Sequence, residues 1–405
     1  MFSFLHAADL HLDTPFEGLS VVDAALAARL RDASLTALDA LVETALARRV
    51  DLVVLAGDLY DGAERGVRAQ LRLRAGLQRL SEAGIYTFLA HGNHDPVEEG
   101  WSALRGQWPE RVHVFAADRA DVVSIVVGGQ RVVVYGTSYP RRQQAESLVP
   151  RFPKAEGEGF HLAVLHANVG AASGHAAYSP CTVEELAALG MDYWALGHVH
   201  RAAVLREQRP RVVYPGNLQG RSFKPSERGP KGCVLVTIDG ERLRAEAIDL
   251  APVRFEQVEV DVAGLDDLAA VQERLAALVA PVAGRVVLVR AELTGRGEVA
   301  RDLLRQGAVD GLLEELRQSS PDGVRWMELR DRTAAPFDLA ALRERDDLGA
   351  AVVGASDGLS DLRGVLASHK ALREVLAEVD DETLRGWLTK ATALALDLLH
   401  PEETR

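Results

Sequence analysis

The sequence predicts a two-sheet α/β sandwich over about residues 1–250, then a smaller α+β unit and C-terminal helices. Three observations carry this: strand–helix–strand alternation up to Ala90, a β-rich stretch from about residue 112, and a fresh β-α-β-α-β order after Pro252. A length of 405 residues exceeds one ordinary core and suits two or three domains, expected at 1–250, 251–340 and 341–405.

Phe2–Ala8 is a short apolar run ending at Asp9, read as a buried strand. From about Asp23 to Arg48, apolar residues at Leu26, Leu30, Ala33, Ala37, Leu38, Leu41 and Val42 keep helical spacing. Asp51–Ala56 is a second strand, stopped by Gly57-Asp58. A helix near Val67–Glu82 leads to a third, Ile85–Ala90, which runs into Gly92-Asn93-His94-Asp95. Val122–Val127 and Arg131–Tyr135 flank Gly128-Gly129-Gln130 as a hairpin. Phe160–Leu165 ends at His166, and Asp192–Leu196 ends at Gly197-His198. Short strands follow near 202–206 and 211–214, then a hairpin, 232–238 with 243–249, turned at Asp239-Gly240. After Pro252, strands at Phe255–Val262, Val286–Leu293 and Val324–Leu329 alternate with helices at Asp266–Leu278 and Val299–Arg317, the order of a split βαβ domain. Residues 360–399 read as helical. There Asp380 is the N-cap of a stripe through Leu384, Trp387, Leu388, Ala391, Leu394 and Leu398.

Composition narrows the function. Hydrophobic residues at 47% and charged residues at 26% describe a globular chain. A net charge of −13 excludes a wholesale cationic nucleic-acid coat, though not a local basic groove. The surplus is uneven: residues 251–405 carry a net −10, and ten of the twelve histidines lie at or before His200. A nearly neutral, His-rich front and an acidic back suggest different tasks. Two cysteines, Cys181 and Cys233, exclude a Cys-rich zinc site and a disulfide framework, and point to a reducing cytoplasm. The start, Met1 to Asp9, lacks the basic and apolar regions of a secretory signal, and no run of about 18 apolar residues predicts a membrane span.

The chemistry-bearing residues fall at strand ends. Asp9 and His11 follow the first strand, Asp58 the second, and Asn93 and His94 the third; His166, His198 and His200 close later ones. In open α/β sheets, sites form beyond the carboxyl ends of the strands, so these groups are expected on one rim. Mixed oxygen and nitrogen donors without thiolate favour Mn²⁺, Fe²⁺ or Zn²⁺. Seven candidate ligands are too many for one tetrahedral ion and suit two ions sharing a carboxylate. Asparagine occurs only three times in the chain, which makes Gly92-Asn93-His94-Asp95 a specific signal.

Asp9-Leu10-His11, Gly57-Asp58, Gly92-Asn93-His94-Asp95, His166 and Gly197-His198-Val199-His200 together resemble the calcineurin-like metallophosphoesterases. The stretches Leu5–Asp13, Leu55–Asp61 and Tyr214–Gly220 are similar to the bacterial DNA-repair exonuclease branch, the SbcD/YhaO type. This likeness is close over about residues 1–250 and loose afterwards. The resemblance implies a four-layer α/β/β/α sandwich with an α+β capping domain and C-terminal helices. It implies two divalent ions, Mn²⁺ above all: Asp9, His11, Asp58 and His200 match a first site, and Asp58, Asn93, His166 and His198 a second, with Asp58 bridging. His94 matches the histidine that acts on the scissile phosphate, and Asp61 is expected to orient it. Archaeal and eukaryotic relatives carry His at the latter step, bacterial ones Asp. The implied substrate is DNA ends and the implied activity exonucleolytic hydrolysis in DNA repair. The implied partner is an SbcC- or YhaN-like coiled-coil ATPase docked on the C-terminal helices, and a homodimer is the expected self-association. A small-molecule phosphodiesterase or phosphatase on the same site is the alternative enzyme; a non-catalytic scaffold would have lost a ligand, and none is missing.

Weaker signals remain. Arg221, Lys224, Arg228 and Lys231 cluster after the Tyr214–Gly220 loop, placed to grip a DNA backbone; Arg221 and Lys224 are the expected contacts. His175 lies in the loop after His166. His6, His91, His113 and His161 are expected to pack at strand positions. Gly354-Ala355-Ser356-Asp357-Gly358 matches G-x-S-x-G but lacks the surrounding hydrolase sheet, and is expected to be a loop.

Overall fold

The computed structural model describes residues 1–14, 16, 24–62, 66–98, 108–170, 178–358, 362–367 and 379–399. Alternation along Phe2–Ala7 (β1) decides the layering. Phe2, Phe4 and His6 face one way; Leu5 and Ala7 face the other, and both faces are buried. Leu52–Ala56 (β2) and Tyr86–Ala90 (β3) are apolar almost throughout because layers cover both sides.

The first sheet runs Arg242–Asp249 (β12), Gly232–Asp239 (β11), β1, β2, β3 and Val112–Val114 (β4). The second runs Asp121–Val127 (β5), Gln130–Gly136 (β6), Phe160–His166 (β7), Tyr193–Gly197 (β8), Arg211–Tyr214 (β10) and Ala203–Arg206 (β9). Pairings β1–β2, β2–β3 and β3–β4 are parallel, as are β6–β7, β7–β8 and β8–β10. Parallel pairing is what delivers the carboxyl ends of β1, β2, β3, β7 and β8 to a common rim.

Between the sheets, Phe4, Val54 and Phe88 of the first pack on Val134, Val164 and Tyr193 of the second. The outer face of the first sheet is covered by Ala24–Arg48 (α1) and Val67–Glu82 (α2), which buries Ala69, Leu73, Leu77 and Leu80 on one face. The outer face of the second, with Trp194 of β8, is covered by Leu186 of Val183–Ala187 (α3) together with Phe152 and Leu148. The four-layer α/β/β/α sandwich is therefore present. β4 and α3 are additions to the expected elements: three residues are too few for a period, and α3 is set by its Thr182–Glu185 capping box.

The chain divides into two compact units, Met1–Glu256 with Pro281–Leu288, and Gln257–Ala280 with Val289–Arg405. A three-stranded sheet orders Val253–Asp261 (β13), Val286–Thr294 (β14) and Val324–Asp331 (β15) as in the chain. No strand is inserted between neighbours, so the βαβ units are not split, a correction that follows from each short crossover placing its strand beside the last. Leu268–Leu278 (α4) starts at an Asp267 cap. The single helix expected over 299–317 is two, Ala300–Leu303 (α5) and Ala308–Ser319 (α6), broken where Gly307 takes φ 79°. Leu339–Arg343 (α7), Leu348–Gly358 (α8), Leu362–Ala367 (α9) and Asp381–Leu399 (α10) follow, the last capped by Asp380 at 2.7 Å from the Thr383 amide. Ser356 lies inside α8, not in the expected loop, and its hydroxyl bonds Thr392 Oγ1 at 2.8 Å, so the G-x-S-x-G match is no nucleophile elbow.

The expected packing histidines all have polar partners. His161 Nδ1 is 2.9 Å from the Tyr135 hydroxyl and His113 Nε2 3.2 Å from Asp121. His6 is fully buried; its Nε2–H donates to the Leu196 carbonyl at 3.1 Å, so Nδ1 accepts from the Tyr193 hydroxyl at 3.1 Å. Burial pushes its pKa down to about 3, the carbonyl contact opposing weakly. Folded pKa lies below the unfolded value near 6.5, so this contribution is complete above pH 6.5. It is lost as pH falls toward 3, at about 1.4 kcal/mol per pH unit. Urea unfolding with chelator at pH 7 and pH 4.5 should show His6→Gln losing about 3 kcal/mol less on acidification than the unaltered chain. Equal losses would mean that His6 is not the acid-labile group.

Candidate metal centre

Tight turns after β1, β2 and β8 carry the polar residues inward. Asp9, His11, Asp58 and His198 all have positive φ (51°, 42°, 50° and 104°), a conformation costing about 1–3 kcal/mol at a residue with Cβ. The turns hold each other: Asp9 and His11 amides donate to the Gly57 and Asp58 carbonyls at 3.0 Å. Close approach explains two glycines. A Cβ on Gly92 would stand 2.2 Å from Asp58 Oδ1, and one on Gly57 2.3 Å from His166 Nδ1.

All seven residues expected as ligands meet on the rim. His11 Nε2 and His200 Nε2 are 3.1 Å apart, with Asp9 Oδ1 4.0 Å from the latter. His166 Nε2 is 2.9 Å from Asn93 Oδ1 and 3.3 Å from Asp58 Oδ2, and His198 Nδ1 is 3.3 Å from Asn93 Oδ1. Asp58 Oδ2 stands between the two groups, 3.9 Å from His11 Nε2. Asp9, His11, Asp58, Asn93 and His166 are buried, while His94, His198 and His200 are half-buried at the mouth. Asp9 with His11 and His200, and Asp9 with Asp58 and His166, are two of the clusters close enough to hold a metal ion; His11, Asp61 and His94 form another.

The donor chemistry fits divalent cations. His166 gives its Nδ1–H to the Ala56 carbonyl at 2.9 Å, and His200 gives its Nδ1–H to Glu227 Oε1 at 2.5 Å. The Nε2 lone pair of His166 then faces the Asn93 and Asp58 oxygens and that of His200 faces His11 Nε2, a donor arrangement that suits a cation. Burial lowers the His166 pKa, but the charge and hydrogen bond of Asp58 outweigh it and lift the pKa to about 9. Burial likewise raises Asp58, yet His166 holds it well below the carboxylate range. Asp9 is pushed up to about 6 by burial, with His166 and His200 opposing.

Beside this cluster, His94 Nδ1 is 2.6 Å from Asp61 Oδ1, and that bond raises the His94 pKa. The His94 amide donates to Asp58 Oδ1 at 2.9 Å. Of the two expected DNA contacts, Lys224 is exposed, but Arg221 turns in to Asp61 Oδ2 at 2.8 Å. Arg228 donates to the Phe223 carbonyl, and Lys231 is buried, donating to the His200 carbonyl at 2.6 Å; both hold the loop together. His175 lies outside the described residues.

Two further residues serve the site without a sequence-based expectation. Glu227 holds His200; nothing in its sequence context marks it, because it is brought there by the Pro225–Glu227 turn. Asp95 is buried and ties the β2 and β3 turns, accepting from the Leu59 amide at 3.2 Å and the Gly92 amide at 2.8 Å, with His91 Nδ1 at 2.9 Å. Its place inside Gly92-Asn93-His94-Asp95 is the available signal.

Comparison with known proteins places this geometry. Residues 2–202 match the calcineurin-like phosphoesterase family, and residues 255–334 match the middle domain of metallophosphoesterase YhaO. The chain is 34% identical over 346 residues to "Uncharacterized metallophosphoesterase YhaO" of Bacillus subtilis (strain 168), covering 84% of each. It is 30% identical to "DNA double-strand break repair protein Mre11" of Haloferax volcanii, over 71% of this chain and 64% of that one. It is 24% identical to the D component of nuclease SbcCD of Staphylococcus saprophyticus, over 67% of this chain and 74% of that one. With the four-layer sandwich and its rim of His, Asp and Asn, these matches make the chain a member of the calcineurin-like metallophosphoesterases, hydrolases that use divalent metal ions, and a homologue of YhaO.

Proposed function

We propose that this chain is a metal-dependent DNA phosphodiesterase, an exonuclease acting on DNA ends in repair. Asp9, His11, Asp58 and His200 would hold one divalent ion and Asp58, Asn93, His166 and His198 a second, with Mn²⁺ the ion proposed. The observation that carries the reading is the convergence of these lone pairs on both sides of Asp58. The DNA substrate is supported by the names of the Haloferax and Staphylococcus relatives, a double-strand break repair protein and a nuclease component.

When bound, two divalent ions supply Lewis acidity that draws charge from the phosphoryl oxygens and makes water a competent nucleophile near neutral pH. The chain's own groups do the rest. Neutral His and Asn donors preserve that electrophilicity, where a cage of carboxylates would quench it. Asp61 accepts the His94 Nδ1–H at 2.6 Å, fixing the ring and leaving Nε2 to stabilise or protonate the departing oxygen. Exposed Lys224 would meet a phosphate beside the scissile one.

A coiled-coil ATPase of the SbcC or YhaN type is the proposed partner, with α10 as its seat; Trp387, Leu394 and Leu398 are exposed there at helical spacing. A cytoplasmic setting is proposed, in keeping with two buried, unpaired cysteines; among the described residues no helix is long and apolar enough to cross a membrane.

Digestion of end-labelled double- and single-stranded DNA, beside bis-p-nitrophenyl phosphate, tests the reading. Labelled nucleotides should be released with Mn²⁺ and not with chelator. Hydrolysis of the small ester with both DNA forms intact would transfer the site to small phosphodiesters.

A further inference from the structure

The turn from Arg221 to Glu227 touches both the metal cluster and the His94 pair. Glu227 is buried, and its two oxygens are divided. Oε1 accepts the Nδ1–H of His200 at 2.5 Å; Oε2 accepts from Asn217 Nδ2 at 2.8 Å and from the Arg221 amide at 3.0 Å. Asn217 is itself placed by its amide on the His200 carbonyl at 3.3 Å and by its side chain on the Gln219 carbonyl at 2.8 Å. Lys231, donating to the carbonyls of His200 and Ser226, fastens the turn to the strand end it serves. Arg221 then reaches the other way. Its Nη1 donates to Asp61 Oδ2 at 2.8 Å, while Asp61 Oδ1 holds His94 Nδ1 at 2.6 Å. One residue therefore joins the carboxylate behind His200 through its backbone and the carboxylate behind His94 through its side chain.

We propose that residues 221–227 form a positioning clasp: Glu227 aims the His200 Nε2 lone pair into the cluster, and Arg221 aims His94 by fixing Asp61. The proposal rests on the two-ion reading of the site. Arg221 is then a positioning residue, not a DNA contact. A carboxylate on the far nitrogen of a ligating imidazole fixes its tautomer and raises its basicity, and losing one typically weakens metal binding about 10–100-fold. The contact is a single charge-assisted bond from Nη1 to Oδ2, so an ammonium at this position could replace it in part.

The two arms of the clasp separate in measurement. Calorimetric titration with Mn²⁺ alone should show Glu227→Gln weakening one of two binding events about 10–100-fold and leaving the other unchanged. Arg221→Ala should leave both Mn²⁺ affinities unchanged. With bis-p-nitrophenyl phosphate it should lower kcat several-fold at constant KM, and Arg221→Lys should recover part of the loss. A thermal melt accompanies each variant; Arg221 is partly exposed and its replacement leaves the core intact, so this arm stands even if Glu227→Gln does not fold. Arg221→Ala that weakens DNA binding but turns over the small ester normally would overturn the clasp and make Arg221 a phosphate contact. Glu227→Gln with unaltered Mn²⁺ affinities would overturn the other arm. An unaltered chain that binds no Mn²⁺ refutes the two-ion reading itself, which is a different result from variants that match a competent parent.

Discussion

Replacing His94 with alanine should lower the rate of DNA cleavage about 10²–10⁴-fold while both ions stay bound. The effect is large because His94 is the half-buried imidazole whose Nδ1 is engaged at 2.6 Å by Asp61, leaving a single nitrogen free for chemistry. The metal content should hold because only the backbone amide of His94 bonds Asp58, and its ring meets the proposed ligand His11 edge to face, centroids 5.0 Å apart, while its Nδ1 is held by Asp61. His198→Ala supplies the contrast. Its Nδ1 faces Asn93 Oδ1 at 3.3 Å, so its loss should weaken one ion, and excess Mn²⁺ should restore part of the rate. Single-turnover cleavage against Mn²⁺ concentration, with metal content measured in parallel, separates the two. A His94→Ala protein that lost metal and recovered in excess Mn²⁺ would make His94 a ligand.

Asp58→Asn should be more damaging, removing bound metal and activity together. Asp58 is buried, and its Oδ2 stands 3.3 Å from His166 Nε2 and 3.9 Å from His11 Nε2; Asp9 also lies near both groups, with its Oδ1 4.0 Å from His200 Nε2. The amide keeps the size and removes the charge, so two cations would meet with one fewer anion between them. Occupancy of both sites should fall, with small-ester hydrolysis reduced at least as far as in His94→Ala. Retention of full occupancy and rate would mean that Asp58 does not bridge.

Much of this arrangement is legible in the sequence, for reasons that differ by element. The β-strands are visible because β2, β3, β7 and β8 are buried on both faces and so read as largely apolar runs, interrupted by Thr87 in β3 and His161 in β7. The candidate ligands are visible because parallel pairing puts every strand's carboxyl end on one rim, so a polar residue just past an apolar run is already located in space. Glu227 is not visible, since its position depends on a short turn that returns to His200 from 27 residues away. Arg221 misleads for a related reason. A cation in a loop looks solvent-facing until the loop's fold shows that Asp61, 160 residues distant in the chain, lies within reach. The break between α5 and α6 is hidden because periodicity passes smoothly through Gly307, and only the backbone angle reveals the interruption.

The most direct test is the position of the ions themselves, read from anomalous scattering of crystals grown with Mn²⁺. Two peaks are expected, one within bonding distance of Asp9, His11 and His200, the other of Asn93, His166 and His198, with the Asp58 carboxylate touching both. A single peak, or peaks that do not share Asp58, would contradict the two-ion account.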